Sequence, residues 1–492
     1  MSQPEKMFCC FTLEGNQYLS ELLLDAENTS LILHSRHPIP YNPEPHSLFG
    51  ESLDHKKISL FECVGDPPDP EGTYPKVAFK RSSFPHYAII GQRHINEEEK
   101  VFKSVSFCTD DLGLLFSASG TFGAARPDPL ELQALLEKSS PPRKVVVGDS
   151  PTIFYFSGIQ DSVDVDISTG LFSVALEFEA NISDHTGIDC PSSTIATLRF
   201  KEPKTLSEVL DDVVAVLLFL TIMAGRYQGV DKINVGVFSS GLDAAQAAPE
   251  KTTLHWSYAP ISSKHAASNS RDIPITPQVD SAEFYNVFYN WMQRHDSWLP
   301  ARLRIINWQK NGRQYDENRL VAAANAFDIL PDATYPETGE LSAATLEARR
   351  QCKAIIRALE SGPEKEQASN TLSFWGGKSL KLKVLSRSRI IHNSFGDYFA
   401  ELDSILIIAI SARNYFVHGT NKFGYEHYDD LISLLTDALE FVFVASDLIE
   451  CGWDAKRWAA KRPGFSHPLA AFYRSYHSQV PDFLSAKQKA EQ

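Results

Sequence analysis

The sequence predicts an α+β chain in which a β-rich first half, a sandwich or partly closed barrel, precedes an antiparallel helical bundle. Three observations carry this reading. Up to about residue 260 the apolar residues come in short β-branched and aromatic runs separated by Pro, Gly and Asp clusters. From about residue 313 the apolar period becomes helical and stays so. The stretch from Asp397 to Gly419, DYFAELDSILIIAISARNYFVHG, is apolar almost all round between Ile405 and Ile410. A helix with one solvated side would not be, so this one is covered on several sides, by its own bundle or by a second copy.

Composition narrows the class. At 492 residues the chain has room for two or three domains, each with its own core. Charged residues at 22% and hydrophobic ones at 43% are ordinary for a soluble globular protein. The net charge of −15 argues against a protein coated in nucleic acid over its whole surface but leaves room for a local basic site. Cys9, Cys10, Cys63, Cys108, Cys190, Cys352 and Cys451 form no CxxC pair, which fits reduced thiols better than disulfides or a zinc site. No metal and no cofactor are expected. The N-terminus, MSQPEKMFCCFTLEG, lacks the basic start and long apolar run of a signal peptide. The longest apolar run, Val213–Ala224, falls short of the roughly 20 residues of a bilayer span. A soluble, cytoplasmic protein is the expectation.

The elements follow in order. Strands are predicted at Ser30–His34, Ile58–Val64, Lys76–Lys80, Tyr87–Ile90 and Val101–Phe107, with turn clusters such as Gly65 to Pro70 between them. A second set covers Thr152–Phe156, Ser162–Ile167, Leu171–Phe178 and Ile195–Phe200, a spacing that suits a sandwich or barrel. A helix over 206–225 opens with Thr205 and Glu208 at capping-box spacing. Strands Ile233–Phe238 and Leu254–Tyr258 close a first domain of residues 1–260. Residues 261–280 are Ser-, Pro- and Asp-rich and read as a linker. Asp280 then caps a helix with Phe284, Tyr285, Phe288, Tyr289 and Trp291, an aromatic density that belongs to a packing surface more often than to base stacking. Linker and connector helix together span 261–312.

The helical part, 313–453, is predicted to hold four helices. Leu320, Ala324 and Phe327 mark the first, and Cys352, Ile355, Ile356 and Leu359 the second, stopped by Gly362-Pro363. The 397–419 stretch is the third, and Leu431 to Ile449 mark the fourth, stopped at Gly452. Two basic patches stand out. Residues 376–392 hold Lys378, Lys381, Lys383, Arg387 and Arg389 with no acid. The tail, 454–492, is basic and interleaved with Trp458, Phe465, Phe472, Tyr473 and Tyr476. Each reads either as a solvated or packed face or as a surface that tracks phosphates.

Within the third helix Arg413 is followed by Asn414 and, five residues on, by His418, with Gly419 as a stop. The spacing alone is cheap: with 22 arginines and 15 histidines and gaps of four to six allowed, about two such pairs arise by chance. Four occur, Arg81–His86, Arg387–His392, Arg413–His418 and Arg462–His467. Context separates them. Arg81–His86 lies among strands, Arg462–His467 straddles Pro463-Gly464, and Arg387–His392 precedes the third helix, which makes His392 the reserve candidate. Only Arg413–His418 ends a strongly apolar helix. Gly376-Gly377-Lys378-Ser379 lacks the leading glycine of a phosphate-binding loop and is set aside.

Arg413, Asn414 and His418 in this setting resemble the signature of the HEPN family of RNA-cleaving bundles. The wider layout, a β-rich half, a helix near 206–225 and a C-terminal bundle, is similar to the ApeA proteins of bacterial antiviral defence. The resemblance implies an endoribonuclease that works without metal, cuts a host RNA (transfer RNA foremost) during phage infection, and leaves 2′,3′-cyclic phosphate and 5′-hydroxyl ends. It implies a homodimer or higher homo-oligomer through the bundle, and a first domain that senses a phage-encoded trigger. The chemistry agrees: the 2′-hydroxyl is a built-in nucleophile, histidine moves protons near neutral pH, and arginine holds the charge gathering at phosphorus. Residues five apart on an ideal helix point about 140° apart, so convergence is expected to need an unwound helix end or two chains. Two other readings give the same sequence: a non-catalytic HEPN module that binds RNA or protein, and a ligand-binding β domain with the bundle as dimeriser.

Overall fold

The computed structural model describes residues 4–71, 78–116, 121–139, 145–158, 161–178, 181–183, 187–189, 192–238, 250–307, 312, 314–335, 342–373, 379–419 and 423–492. The chain forms two units. The first comprises Met1–Leu220, Gln228–Ser263 and Thr276–Tyr285; the second comprises Thr221–Tyr227, Lys264–Ile275 and Asn286–Gln492.

The first unit opens with β1 (Glu5–Leu13), β2 (Asn16–Leu24), β3 (Ser30–Ser35), β4 (His46–Ser52), β5 (Lys57–Gly65), β6 (Asp69–Glu71), β7 (Ala78–Phe84), β8 (Tyr87–Gly91) and β9 (Phe102–Thr109). There follow α1 (Leu112–Phe116), β10 (Phe122–Ala125), α2 (Pro129–Lys138), β11 (Ile153–Phe156), β12 (Asp161–Ile167), β13 (Gly170–Phe178), β14 (Asn181–Ser183) and β15 (Gly187–Asp189). Last come β16 (Ser192–Lys204), α3 (Leu206–Ala224), β17 (Val230–Val237) and β18 (Glu250–Trp256). Strands β5-β4-β1-β2-β3-β7 pair in that order, and β7 pairs back on β5, so six antiparallel strands close a barrel. Its interior follows the period of two: Cys9, Phe11 and Leu13 point inward from β1 and pack with Leu22, Leu33 and Leu60. Gly50 on β4 leaves room for the Phe11 ring, since a Cβ there would lie 2.7 Å from it.

From β5 the sheet runs on through β8-β18-β17-β9-β16-β13-β12 as an open sheet. Phe172 of β13 meets Phe116 of α1, Phe116 meets Phe284, and Phe284 meets Phe219 of α3, with ring centroids 5.5 to 6.1 Å apart. The capping box that starts α3 is reciprocal: Thr205 N donates to Glu208 Oε2 at 2.8 Å and Glu208 N to Thr205 Oγ1 at 3.3 Å.

The second unit is helical: the end of α4 (Ser281–Gln293), then α5 (His295–Ile306), α6 (Glu317–Asp328), α7 (Ala343–Ala358), α8 (Pro363–Ser373), α9 (Leu380–Phe395) and α10 (Leu402–His418), followed by α11 (Ile432–Cys451), α12 (Ala455–Ala460) and α13 (Pro468–Ala490). α11 is the central helix and packs against α6, α9, α10 and α13. Its Leu434, Leu435, Ala438, Leu439, Val442 and Ala445 are all buried.

The α+β class expected from the sequence is the one observed, and the β half closes as a barrel with an open extension. Three expectations change. α7, expected as the second helix of the bundle, buries none of its residues; α9 takes its place, with Val384, Arg387, Ser388 and Ile391 buried. Residues 454–492 contain α12 and α13, and their Trp458, Phe472 and Tyr476 are buried, so these aromatics build the core and are not a stacking surface. The expected linker includes the buried Ser268, Asp272, Ile273 and Ile275. Trp453 Nε1 donates to Pro274 O at 3.0 Å and Ser466 N to Asp272 Oδ2 at 2.9 Å, which pins that segment to the helices after α11.

Candidate active site at the end of α10

α10 ends where the sequence says it should. Gly419 takes a left-handed conformation, φ 62° and ψ 37°, and its N–H donates to Tyr415 O at 2.9 Å. The helix stays regular through His418, so the expected unwinding does not occur. The long Arg413 side chain supplies the reach instead. Its Nη1 lies 3.4 Å from His418 Nε2 and donates to Asn414 Oδ1 at 3.1 Å. Guanidinium nitrogens only donate, so a hydrogen bond across this contact requires His418 Nε2 to be the acceptor.

A residue absent from the sequence reading fixes the other edge of the guanidinium. Asn325 of α6 accepts from Arg413 Nε at 3.0 Å and from Nη2 at 2.8 Å through the same Oδ1. One turn on, Asp328 Oδ2 stands 3.9 Å from Nη2. The Arg413 side chain is 16% exposed, and the two side chains that accept its closest hydrogen bonds, Asn325 and Asn414, are uncharged amides. The amides aim the cation without adding a counter-charge, and Asp328 at 3.9 Å offsets it only in part, which leaves positive charge available to a phosphate. In the sequence, Asn325 was detectable only as a lone amide in the alanine-rich helix AAANAF.

Around this pair, Tyr415 stacks on Tyr425 at 5.6 Å, Phe416 meets Tyr425 edge-on at 4.7 Å, and Phe423 stacks on Tyr428 at 5.6 Å. Burial, foremost, pushes the Tyr425 phenol above its ordinary range, so it stays protonated and is no candidate base. His418 itself is exposed.

The predicted basic patch divides. Lys378 lies outside the described residues. Lys383 joins the site: its Nζ donates to Asp328 O at 2.7 Å and stands 3.5 Å from Asp328 Oδ1, so one carboxylate separates it from Arg413. Lys381 and Arg389 are exposed on α9. Arg387 corrects the expectation of a phosphate contact. It is 1% exposed, with Nε donating to Ser446 Oγ at 2.9 Å and Nη1 2.8 Å from Glu450, so it is a buried strut of the bundle. His392 Nε2 lies 3.2 Å from Asp403 Oδ1, a partner different from the Arg413 cluster. His467, in another Arg–x4–His match, is a buried N-cap whose Nε2 donates to Ile222 O at 3.0 Å. Ser379 of the rejected glycine loop is the N-cap of α9. Among the described residues no group of three or more His, Cys, Asp or Glu is arranged to hold a metal ion, and no helix is long and apolar enough to cross a membrane.

A helical bundle whose third core helix ends in Arg–Asn–x3–His, behind a barrel-containing β unit, is the layout of a HEPN-domain defence protein. The family described as ApeA-like HEPN matches residues 321–457, and the one described as ApeA N-terminal domain 1 matches residues 3–291, more than half of the chain. The chain belongs to the ApeA family. No curated protein and no solved structure matches it.

Proposed function

We propose that this protein is a metal-independent endoribonuclease of anti-phage defence that cuts a host RNA, transfer RNA foremost, with His418 in acid–base catalysis and Arg413 on the scissile phosphate. The observation that carries the reading is the Arg413 guanidinium, aimed by the Asn325 and Asn414 amides, 3.4 Å from an exposed imidazole at a helix end. A phosphodiester laid across that end meets the cation at its non-bridging oxygens. Nε2 is then free to exchange its Arg413 partner for the 2′-hydroxyl or the leaving 5′-oxygen. Attack by the 2′-oxygen closes the cyclic phosphate as the P–O5′ bond breaks and the 5′-oxygen takes a proton. Asn414 and Asn325 orient the guanidinium.

One histidine serves one end of this proton transfer at a time. A two-fold dimer would bring a second His418 and supply acid and base together. Ile405, Leu406, Ala409 and Ile410 are buried within the chain, whereas Ile407 and Ile408 on the opposite face of α10 stay half-exposed, and that face is the proposed dimer contact. Residues 1–260 are proposed to sense a phage product or to restrain the bundle; a truncation that leaves both toxicity and phage response unchanged would remove that idea.

The test is cleavage of total small RNA in EDTA by wild type and His418→Ala, with end-group analysis. Cutting by wild type alone, with cyclic-phosphate ends, supports the mechanism. Equal cutting by both moves the site, first to His392. If neither cuts, in buffer or in infected-cell extract, the chain is a binding module.

A further inference from the structure

We propose that α7, which belongs to no part of the site above, is an RNA-tracking arm that grips the phosphate backbone of the strand cut at α10. The inference rests on the nuclease reading only for the identity of the strand. α7 buries none of its residues, yet it is a well-formed helix. Ser342 caps its start by accepting from Thr345 N at 3.2 Å. Lys365 of α8 closes its end, donating to Arg357 O at 2.9 Å and Leu359 O at 2.7 Å. The hairpin of α7 and α8 is therefore held in shape although it contributes nothing to the bundle core.

Cys352 and Ile356 line a groove shared with Ala368 and Leu372 of α8, so part of the apolar face is already taken. Next to that face run Arg349, Lys353 and Arg357 at four-residue spacing, Arg349 half-buried and Lys353 and Arg357 exposed, with Arg350 beside them. Successive members of this row rise about 6 Å and turn only about 40°, giving a straight cationic row on the scale of neighbouring phosphates along a strand. Arg350 pairs with Glu347, the one acid of α7. Among the described residues Arg349, Lys353 and Arg357 meet no carboxylate, and Lys353 and Arg357 are exposed. In a chain of net charge −15, α7 carries four cations against one acid, and after the Arg350–Glu347 pair and with Glu364 of α8 at the groove, Arg349, Lys353 and Arg357 remain as a local excess of positive charge. A narrow row suits a strand better than a plane. A bilayer would need the whole apolar face, which α8 partly covers.

The test uses the full chain with His418→Ala, so that RNA is bound without being cut. Anisotropy of end-labelled total transfer RNA is titrated from 50 to 200 mM salt, with and without Arg349→Gln, Lys353→Gln and Arg357→Gln together. Loss of three phosphate contacts lowers the slope of log K against log salt by about 2 to 3, so the parent should lose about 20- to 40-fold more affinity over that range than the triple variant. The charge-keeping Arg349→Lys, Arg357→Lys variant should retain the parent slope. Circular dichroism checks the fold of each. Equal slopes for parent and triple variant overturn the arm whether or not wild type cuts RNA. Loss of binding to phosphatidylglycerol vesicles, with RNA binding unchanged, overturns it in favour of a membrane surface. Wild-type cleavage, scored separately, decides the nuclease reading and not the arm.

Discussion

Asn325→Asp separates holding the arginine from keeping its charge. Asn325 Oδ1 accepts two bonds from Arg413, at 3.0 and 2.8 Å. A carboxylate at the same place keeps both bonds and makes them charge-assisted, which strengthens the hold. It also places a full negative charge about 4 Å from the guanidinium, worth about 4 kcal/mol of attraction at an effective dielectric of 20. Asp328 at 3.9 Å is a loose counter-charge in the native protein; a second, tighter one leaves the site near neutral.

A phosphate in the transition state would then compete with the introduced carboxylate for the cation. The expected loss is that of one oxyanion donor, about 100- to 1000-fold in single-turnover rate. Melting temperature should stay level or rise. Asn325→Ala removes the hold instead, so both rate and melting temperature should fall, the latter by the equivalent of about 1.5–3 kcal/mol for bonds to a charged group. The assay is single-turnover cleavage of one defined RNA beside thermal unfolding of each variant. A rate for Asn325→Asp within about threefold of wild type would show that the Arg413 charge is not used, and the proposed chemistry would go with it.

Arg413→Lys keeps the charge but cannot span Asn325, Asn414 and His418 together; rate should fall at least about 100-fold with little change in stability, and near-native cleavage would refute the fork argument. Acid should weaken the second unit. His467 and His295 are buried, and burial, aided at His295 by Arg302, lowers each to about 4 from 6.5. Their contribution is whole above pH 6.5, where folded and unfolded forms are both neutral, and is lost as pH falls toward 4, because only the unfolded chain takes up the protons. By pH 5 the cost is about 2 kcal/mol per histidine, and His467→Asn, which keeps a capping side chain, should flatten part of the slope in urea melts at pH 5 and 7.5. Asp447→Asn should cost about 3–5 kcal/mol by urea unfolding, because Arg302, 2% exposed and 2.9 Å from Asp447 Oδ2, would be left as a buried cation without its partner.

Period and punctuation made most elements legible. The runs at Ser30, Ile58, Tyr87, Val101 and Leu171 are strands, the Thr205–Glu208 box starts α3, and Gly419 stops α10. The first hairpin was not, because Met7-Phe8-Cys9-Cys10-Phe11 is apolar throughout, and only the structure shows Phe8 half outside and Cys9 and Phe11 in the barrel. α13 was hidden by Pro481 and by basic residues that face outward while Phe472 and Tyr476 face in.

The same ambiguity explains the fate of the basic residues, since charge in a sequence says nothing about whether a partner waits in the fold. Arg387 lay in a run without acids and proved to be a strut against Glu450, more than sixty residues on. Arg349, Lys353 and Arg357 lay beside an apolar stripe that marked a core helix, but only Cys352 and Ile356 of that stripe meet α8, Ile355 and Leu359 stay exposed, and Lys353 and Arg357 stand outside with them. At the site the logic runs the other way. Arg413 and His418 were visible through spacing and helix end, but Asn325, 88 residues before Arg413, was not, because one amide among alanines carries no pattern. Its meaning comes from what it lacks: an acid there would have held the arginine better and left less charge for a phosphate. With Asp328 already a loose counter-charge at 3.9 Å, an amide at 325 keeps the second, tighter carboxylate out, and the proposed role of Arg413 on a phosphate depends on that choice.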